Sequence, residues 1–326
     1  MLCSGLAKEA APTLLALSLA CGAAGAAAAA DNDTFIVLGT HGGPISQANR
    51  SQPANALVVG RDVYLVDVGD GAAQQLAKAG FALQSVRGVF ISHLHFDHTG
   101  GLFAVLGLRH QGAGAGRLKI YGPPGTKQTV DGLVAAMGPE AESGYGIPGA
   151  DVVPPENTVE VIEIRDGANI KLDGLTVSAA ENTHYSFPPG SDMDKRFDSL
   201  SFRFDLPDRS IVYTGDTGES DAVTRLAEGA DVLVSELIDP KVAEGFVPRG
   251  NAEQQKRARE MRQHMTEHHI TPEQVGRMAA KAKVGRVVIT HLVAGRDPGV
   301  DTAPYVAGIK ARYDGPVEIA SDLDRY

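Results

Sequence analysis

Six consecutive residues, His93-Leu94-His95-Phe96-Asp97-His98, carry four metal-capable side chains between two apolar segments. Residues 89–92 before them suit a buried strand, and residues 102–108 after Thr99-Gly100-Gly101 suit a helix. A chain with this pattern must turn from strand to helix through a loop crowded with imidazole and carboxylate. In an extended segment His93, His95 and Asp97 alternate with Leu94 and Phe96 and project one way, while His98 points elsewhere. One short loop could then feed two adjacent metals. A solvated His-rich loop is the plain alternative, but an acid set between histidines suits a divalent cation better. The segment makes the chain a candidate metal-dependent hydrolase.

The 326 residues allow a sizeable core in one large domain or two small ones. A net charge of −10 and the lack of clustered Lys and Arg with interleaved aromatics argue against nucleic acid and anionic membrane as partners. Residues 1–30 stand apart: Lys8 and Glu9 are their only charges, an apolar stretch spans 13–21, and alanines lead to Asp31. This is the shape of a cleaved signal peptide. It predicts a mature domain over 31–326, periplasmic or secreted, with no stable membrane insertion after cleavage. A membrane anchor is the alternative, disfavoured by the short Ala- and Gly-rich composition. Cys3 and Cys21 both fall in this leader, so the mature chain has no disulfide, thiolate ligand or cysteine nucleophile.

Further along, strand candidates fall at 35–38, 56–59, 63–66, 89–92, 118–121, 159–164, 175–179, 200–204, 210–214, 232–235, 286–290 and 317–320. Helix candidates are 72–78, 102–108, 126–137, 222–227, 252–267, 272–282 and 305–313. The helix at 272 is the best marked, with Thr271 as N-cap, Pro272 in the first turn and Gln274 completing a capping box. Hairpins in each half and helices between them predict an α/β (α+β) fold. Two mixed sheets stack between helical layers, a four-layer αββα sandwich. Segments 138–157 and 239–269 read as insertions that could shape a binding site. His264 and His268, four apart on the helix at 252–267, read as surface residues unless that helix folds over the site.

Three more candidates sit just past strands: His184, Asp216 in Gly215-Asp216-Thr217, and His291 in Thr290-His291. A lone His or Asp at a strand end is usually a turn or cap residue; repeated placement at one rim argues for a shared site. The set His93-x-His95-x-Asp97-His98, His184, Gly215-Asp216-Thr217 and Thr290-His291 resembles the metallo-β-lactamase-fold hydrolase superfamily, from about Phe35 to Ala320. The resemblance implies two divalent metal ions, zinc by default and manganese or iron as alternatives. His93, His95 and His184 would hold one, Asp97, His98 and His291 the other, and Asp216 would bridge them. Asp67, in Val66-Asp67-Val68-Gly69, would support the ligand loop without binding metal.

The bridging Asp216, Glu236 in Leu233-Val234-Ser235-Glu236, and His269-Ile270-Thr271-Pro272-Glu273 resemble the ribonuclease Z and arylsulfatase-like branch. The branch implies catalytic roles for Asp97, His269 and Glu236: Asp97 orients a metal-bridging hydroxide, and His269 with Glu236 serves the leaving group. The leader and the acidic charge favour the arylsulfatase-like side. The expectation is therefore an exported hydrolase of small ester-type molecules, aryl sulfates or carboxylic esters and lactones, with no nucleic-acid partner and an oligomer left open. The alternative is a phosphodiesterase or ribonuclease Z-like nuclease, or weak β-lactamase activity. A metal-dependent binding protein without turnover is a third reading.

Overall fold

A computed structural model describes residues 33–112, 116–149, 151–294 and 299–326. The signal peptide expected over residues 1–30 lies outside them. The first sheet draws on β1 (Thr34–Gly39), β2 (Ala54–Val59) and β3 (Asp62–Val68). Helix α1 (Ala72–Lys78), β4 (Val86–Phe90), the short α2 (Phe96–Thr99) and α3 (Leu102–Gln111) follow. Then come β5 (Leu118–Gly122), α4 (Thr126–Ser143) and β6 (Val159–Glu163). The second sheet begins with β7 (Asn169–Leu172) and β8 (Leu175–Glu181), then α5 (Asp192–Arg196), β9 (Leu200–Asp205) and β10 (Ser210–Tyr213). It continues through α6 (Asp221–Leu226), β11 (Val232–Ile238), α7 (Pro240–Glu244), α8 (Ala252–Glu267) and α9 (Pro272–Ala282). Strand β12 (Arg286–Val293), α10 (Ala303–Lys310) and β13 (Val317–Ile319) close the chain.

The sheets run β1-β2-β3-β4-β5-β6 and β13-β12-β11-β10-β9-β8-β7, each mixing parallel and antiparallel pairs. Strand alternation places the core. In β1, Phe35 and Val37 face the opposite sheet and, with Phe90 of their own sheet, meet its Phe202, Phe204 and Tyr213. Ile36 and Leu38 face the other way, toward Leu76 of α1, Val105 of α3 and Val130 of α4. The second sheet likewise packs its outer face on α6, α9 and α10 through Val223, Val275 and Ile309. These three apolar layers separate four layers of structure, as the sequence predicts. Strands buried on both faces have near-continuous apolar sequences, which is why most were legible.

Two elements differ from expectation. Strand β7 has no counterpart among the strand candidates: it sits at a sheet edge, alternates exposed and half-buried, and so lacks an apolar run. Helix α4 runs through Pro139 to Ser143, past the stop read at Gly138-Pro139. Pro139 and Ala135 are both exposed, so water can satisfy the carbonyl that the proline leaves without a donor. Segment 138–157 also does not reach the histidine cluster through its hydrogen bonds. Tyr145 Oη donates to the carbonyl of Gln111, and His110 Nε2 donates to the carbonyl of Val153, both at the far end of α3. Among the described residues no helix is long and apolar enough to cross a membrane.

Candidate metal centre

The centre is built at the ends of β3, β4, β8, β10, β11 and β12. Strand β4 stops at Phe90, and the chain bends at Ser92 on its way to His93. The extended alternation expected through Asp97 stops at His95, which caps a helical turn, α2. Thr99 Oγ1 and the Gly100 N–H close that turn on the carbonyls of His95 and Phe96. Winding the chain here separates Asp97 from His93 and His95 and groups it with His98. The turn also packs tightly on β3: a Cβ at Gly69 would lie 2.2 Å from the Asp97 carbonyl oxygen.

Two ligand clusters result, with the donor atoms in each within 4.8 Å of one another: His93, His95 and His184, and Asp97, His98, Asp216 and His291. In the first, His93 Nε2 and His184 Nε2 lie 3.0 and 3.1 Å from His95 Nδ1. In the second, His98 Nε2 and His291 Nε2 lie 3.2 and 3.1 Å from Asp216 Oδ1. The other oxygen, Asp216 Oδ2, is 3.9 Å from both His93 Nε2 and His184 Nε2. Asp216 thus offers one oxygen to each cluster. His98 Nε2, His291 Nε2 and Asp216 Oδ1 are buried with no hydrogen-bond partner. Buried polar atoms without partners are rare, and three that converge on one point fit a cation. The His/Asp set is compatible with a dinuclear divalent metal site.

Outer hydrogen bonds fix which nitrogen each ring presents. His184 Nδ1 donates to the His268 carbonyl at 2.9 Å, and His98 Nδ1 to Asp67 Oδ2 at 2.8 Å. Ser92 Oγ donates to Asp67 Oδ2, so it accepts from His93 Nδ1 at 3.0 Å. Asp67 is fully buried and also takes the Ser92 N–H at 2.7 Å and the Tyr213 hydroxyl at 2.8 Å. Asp67 and His291 both hold positive φ, 55° and 38°, a strain of about 1–2 kcal/mol each that tends to gather at functional sites. For His291 the cause is a bulge. The β11–β12 register slips between Ser235 and Leu237, and the extra residue in β12 re-aims the ring.

Burial pushes His93 and His184 well below the ordinary histidine range, so both rings are neutral donors. Burial also opposes charge on His98, but Asp216, Asp67 and Asp97 outweigh it and hold that ring high. Burial alone would raise Asp97 and Asp216; the facing histidines, His98 and His291 foremost, pull both down. A second buried pair lies alongside. His269 Nδ1 donates to Glu236 Oε2 at 2.8 Å, and Glu236 Oε1 accepts the Thr217 N–H at 2.6 Å. Burial lowers His269, while burial followed by the Asp216 charge raises Glu236.

Helix α8 does fold over the centre, so His264 and His268 are not simple surface residues. The His264 ring centre is 5.0 Å from those of His184 and His269, and the three form a third group of donor atoms. Burial, and then His269, lower His264 to about 3. Its Nδ1 is 3.0 Å from His268 Nδ1. The sequence signal was the i, i+4 histidine spacing together with the adjacent His269.

A fold of this kind with His/Asp clusters at one rim defines a metallo-hydrolase. Residues 63–292 match the model of the family described as beta-lactamase superfamily domain, and the chain belongs to it. Curated relatives are ribonuclease Z proteins. That of Mycobacterium sp. (strain KMS) is 32% identical over 294 residues, 89% of this chain and 94% of the relative. That of Mycobacterium marinum is 30% identical over 295 residues, 89% and 97%. Solved structures share the fold. Bacillus subtilis YhfI, a metallo-beta-lactamase fold protein, has TM-score 0.64 at 19% identity, covering 91% of this chain and all of that one. Human tRNase Z, short form, has TM-score 0.57 at 22% identity, covering 90% and 98%.

These relatives correct two expectations from the sequence: a small ester-type substrate, and the absence of a nucleic-acid partner. The hydrolase assignment stands; the arylsulfatase-like side of the branch does not. The charge argument failed because it summed the whole chain. Asp67, Asp97, Asp216 and Glu236 count toward −10, yet they are buried in the centre and present no charge to a polyanion. Exposed α8 carries Lys256, Arg257, Arg259 and Arg262, and the last two make no ion pair among the described residues.

Proposed function

We propose that this chain is a dinuclear metal-dependent phosphodiesterase acting on RNA, a nuclease of the ribonuclease Z kind. The observation that carries the reading is the buried His269–Glu236 pair beside an Asp216-linked double cluster, in a chain similar to ribonuclease Z along nearly its whole length. His93, His95 and His184 would hold one metal, Asp97, His98 and His291 the other, with Asp216 shared. Neutral imidazole and carboxylate donors suit zinc first, and manganese or iron also. When bound, such a pair lowers the pKa of water and neutralises charge on a phosphoryl oxygen.

The chain's own groups supply the rest. Asp97 Oδ2 accepts the Gly43 N–H at 3.0 Å, which anchors the carboxylate beside His98 and His291, where it would orient the attacking water. Glu236 holds the Nδ1 proton of His269, so Nε2 is the atom turned to the leaving oxygen, and it would serve as donor only after taking up a second proton, a form the neighbouring Glu236 carboxylate favours. His264 packs beside it and narrows the entrance from the α8 side. Export remains a proposal resting on the composition of residues 1–30 alone; fractionation of tagged protein between periplasm and cytoplasm tests it.

The deciding assay compares metal-loaded and chelator-stripped protein on bis(4-nitrophenyl) phosphate and a 3′-extended RNA, with 4-nitrophenyl sulfate and acetate alongside. Metal-dependent cleavage of both phosphodiesters is the expected result. Turnover of sulfate or acetate without any phosphodiester cleavage would overturn the reading.

A further inference from the structure

Beside the second cluster lies a cavity of about 1030 Å³ that the metal chemistry does not use. Its walls come from the β1–β2 loop, from α7 and α8, and from the end of β12. Ile45, Val242, Phe246, Met265 and Val293 make them apolar. Among the described residues Lys241 is the one charged side chain that lines it, with the polar Ser46, Gln47 and Asn49 along the β1–β2 loop. The volume is at the upper end of what small-ligand sites enclose. An uncharged, flat group fits such walls better than a phosphate or a sugar.

The cavity adjoins the centre through two glycines. A Cβ at Gly42 would lie 2.7 Å from His291 Nδ1 and 2.6 Å from a Val293 methyl, so only glycine lets the loop lie against that ring. The next residue, Gly43, gives its N–H to Asp97 Oδ2. The cavity and the Asp97/His98/Asp216/His291 cluster are thus joined through the short Gly42-Gly43 stretch.

One buried, unpartnered polar atom adds chemical selectivity to the cavity. His41 lines it, buried, with Nε2 2.6 Å from the Ile45 carbonyl oxygen. A carbonyl can only accept, so Nε2 carries the proton and Nδ1 of the neutral ring is an acceptor. That Nδ1 is buried and has no partner. An apolar slot with one unused acceptor suits a ring bearing an N–H donor on its edge.

We infer that this cavity is a nucleobase subsite, in which a base next to the scissile phosphate stacks against the α7–α8 wall and donates an amino hydrogen to His41 Nδ1. The inference rests on the phosphodiesterase reading for its substrate, but its test needs no turnover. Equilibrium binding to the full-length, zinc-loaded protein is measured for adenosine 5′-monophosphate, purine riboside 5′-monophosphate (which lacks the amino group), ribose 5-phosphate and phenyl phosphate. Adenosine monophosphate should bind at least tenfold tighter than ribose 5-phosphate and about tenfold tighter than the amino-free analogue. Val242→Trp, which fills the slot from a half-buried position, should remove the first preference and leave ribose 5-phosphate binding unchanged. His41→Phe should remove the second preference, and His41→Gln, which keeps an acceptor, should restore part of it.

Equal binding of adenosine monophosphate and ribose 5-phosphate overturns the subsite. Phenyl phosphate matching adenosine monophosphate, with no effect of the amino group, overturns the nucleobase assignment in favour of a plain aryl slot. A base preference in a protein that cleaves no phosphodiester sinks the nuclease reading and leaves the subsite standing. Phosphodiester cleavage without base preference does the reverse.

Discussion

Replacing Asp67 by asparagine keeps the shape of the side chain and reverses the hydrogen-bond sense of one atom. The Ser92 backbone N–H donates to Oδ1 at 2.7 Å, and a backbone donor cannot be reversed. The amide oxygen must therefore occupy that position, and the amide nitrogen takes the place of Oδ2. Oδ2 now accepts from Ser92 Oγ, His98 Nδ1 and the Tyr213 hydroxyl at 2.7, 2.8 and 2.8 Å. An NH₂ group has two hydrogens and no lone pair, so His98 Nδ1 cannot keep its proton facing it. The proton moves to Nε2, the atom 3.2 Å from Asp216 Oδ1, and His98 ceases to be a ligand. Loss of such an outer partner weakens metal affinity by about 10–100-fold, roughly 1.4–2.8 kcal/mol. Two hydrogens for three partners also leave one buried group unpaired, which costs about 1–3 kcal/mol in the metal-free protein. Asparagine adopts positive φ as readily as aspartate, so the 55° backbone adds nothing. Competitive zinc titration should show the His98 site weakened most and the His93 site less, because His98 bonds Asp67 directly whereas His93 reaches it only through Ser92 Oγ. Two sites at parental affinity would refute the tautomer argument. Equal loss of both would mean that Asp67 supports the whole loop rather than one ring.

Four further outcomes follow from the same geometry. Asp216→Ala removes an oxygen from each cluster, so elemental analysis should find both metals lost and hydrolysis with them; one retained equivalent contradicts the shared-ligand assignment. His269→Gln should keep two metals while kcat on bis(4-nitrophenyl) phosphate falls by about 10²–10⁴, and a parental rate ends the proton-donor role. Arg259→Ser with Arg262→Ser should weaken RNA binding and flatten its salt dependence, by about 0.7 in log–log slope for each single-strand phosphate left unneutralised. The same pair should leave small-diester turnover alone; an unchanged salt slope would remove α8 from the RNA path. Acidity should destabilise the metal-free protein. Burial holds His93, His95, His184, His264 and His269 below the ordinary histidine range, against His98 alone held above it. Below about pH 6.5 the unfolded chain binds more protons than the folded one, so stability present above that pH is lost as pH falls. Urea midpoints of stripped protein should drop between pH 7.5 and 5.5, and a constant or rising midpoint would contradict the burial argument.

The ligand set was legible in the sequence because each member follows an apolar strand, and strand ends in a stacked pair of sheets share a rim. Asp67, inside β3, was singled out only by the family resemblance. What the sequence hid were features set by tertiary structure. The turn at Phe96–Thr99 has no helical periodicity of its own, so its local pattern reads as extended and aims Asp97 with His93 and His95. The bulge that turns His291 toward Asp216 depends on register with β11, which no local pattern reports. Helix α8 has no buried residue, so nothing in its pattern said which way it faces. Only the structure shows that its half-buried side carries His264 and Met265 against the centre.

That placement changes how the 239–269 insertion should be understood. Lys241 and Val242 from α7, Phe246 just after it and Met265 from α8 wall the cavity beside His291. His264, one residue before Met265, packs on His269 and His184. The His268 carbonyl just after α8 fixes the tautomer of His184, a candidate ligand. One insertion therefore touches the proposed base subsite, the proposed proton donor and the first cluster together, while the remaining candidate ligands come from the sheets. Substitutions on the outer turn of α8, at Arg259 or Arg262, act on encounter with a polyanion through charge alone. Substitutions one turn further on, at His264 or Met265, act on what the centre accepts. Selectivity can thus change within this arm without disturbing the ligands outside its reach, whereas a shift of α8 as a body must disturb His184 as well.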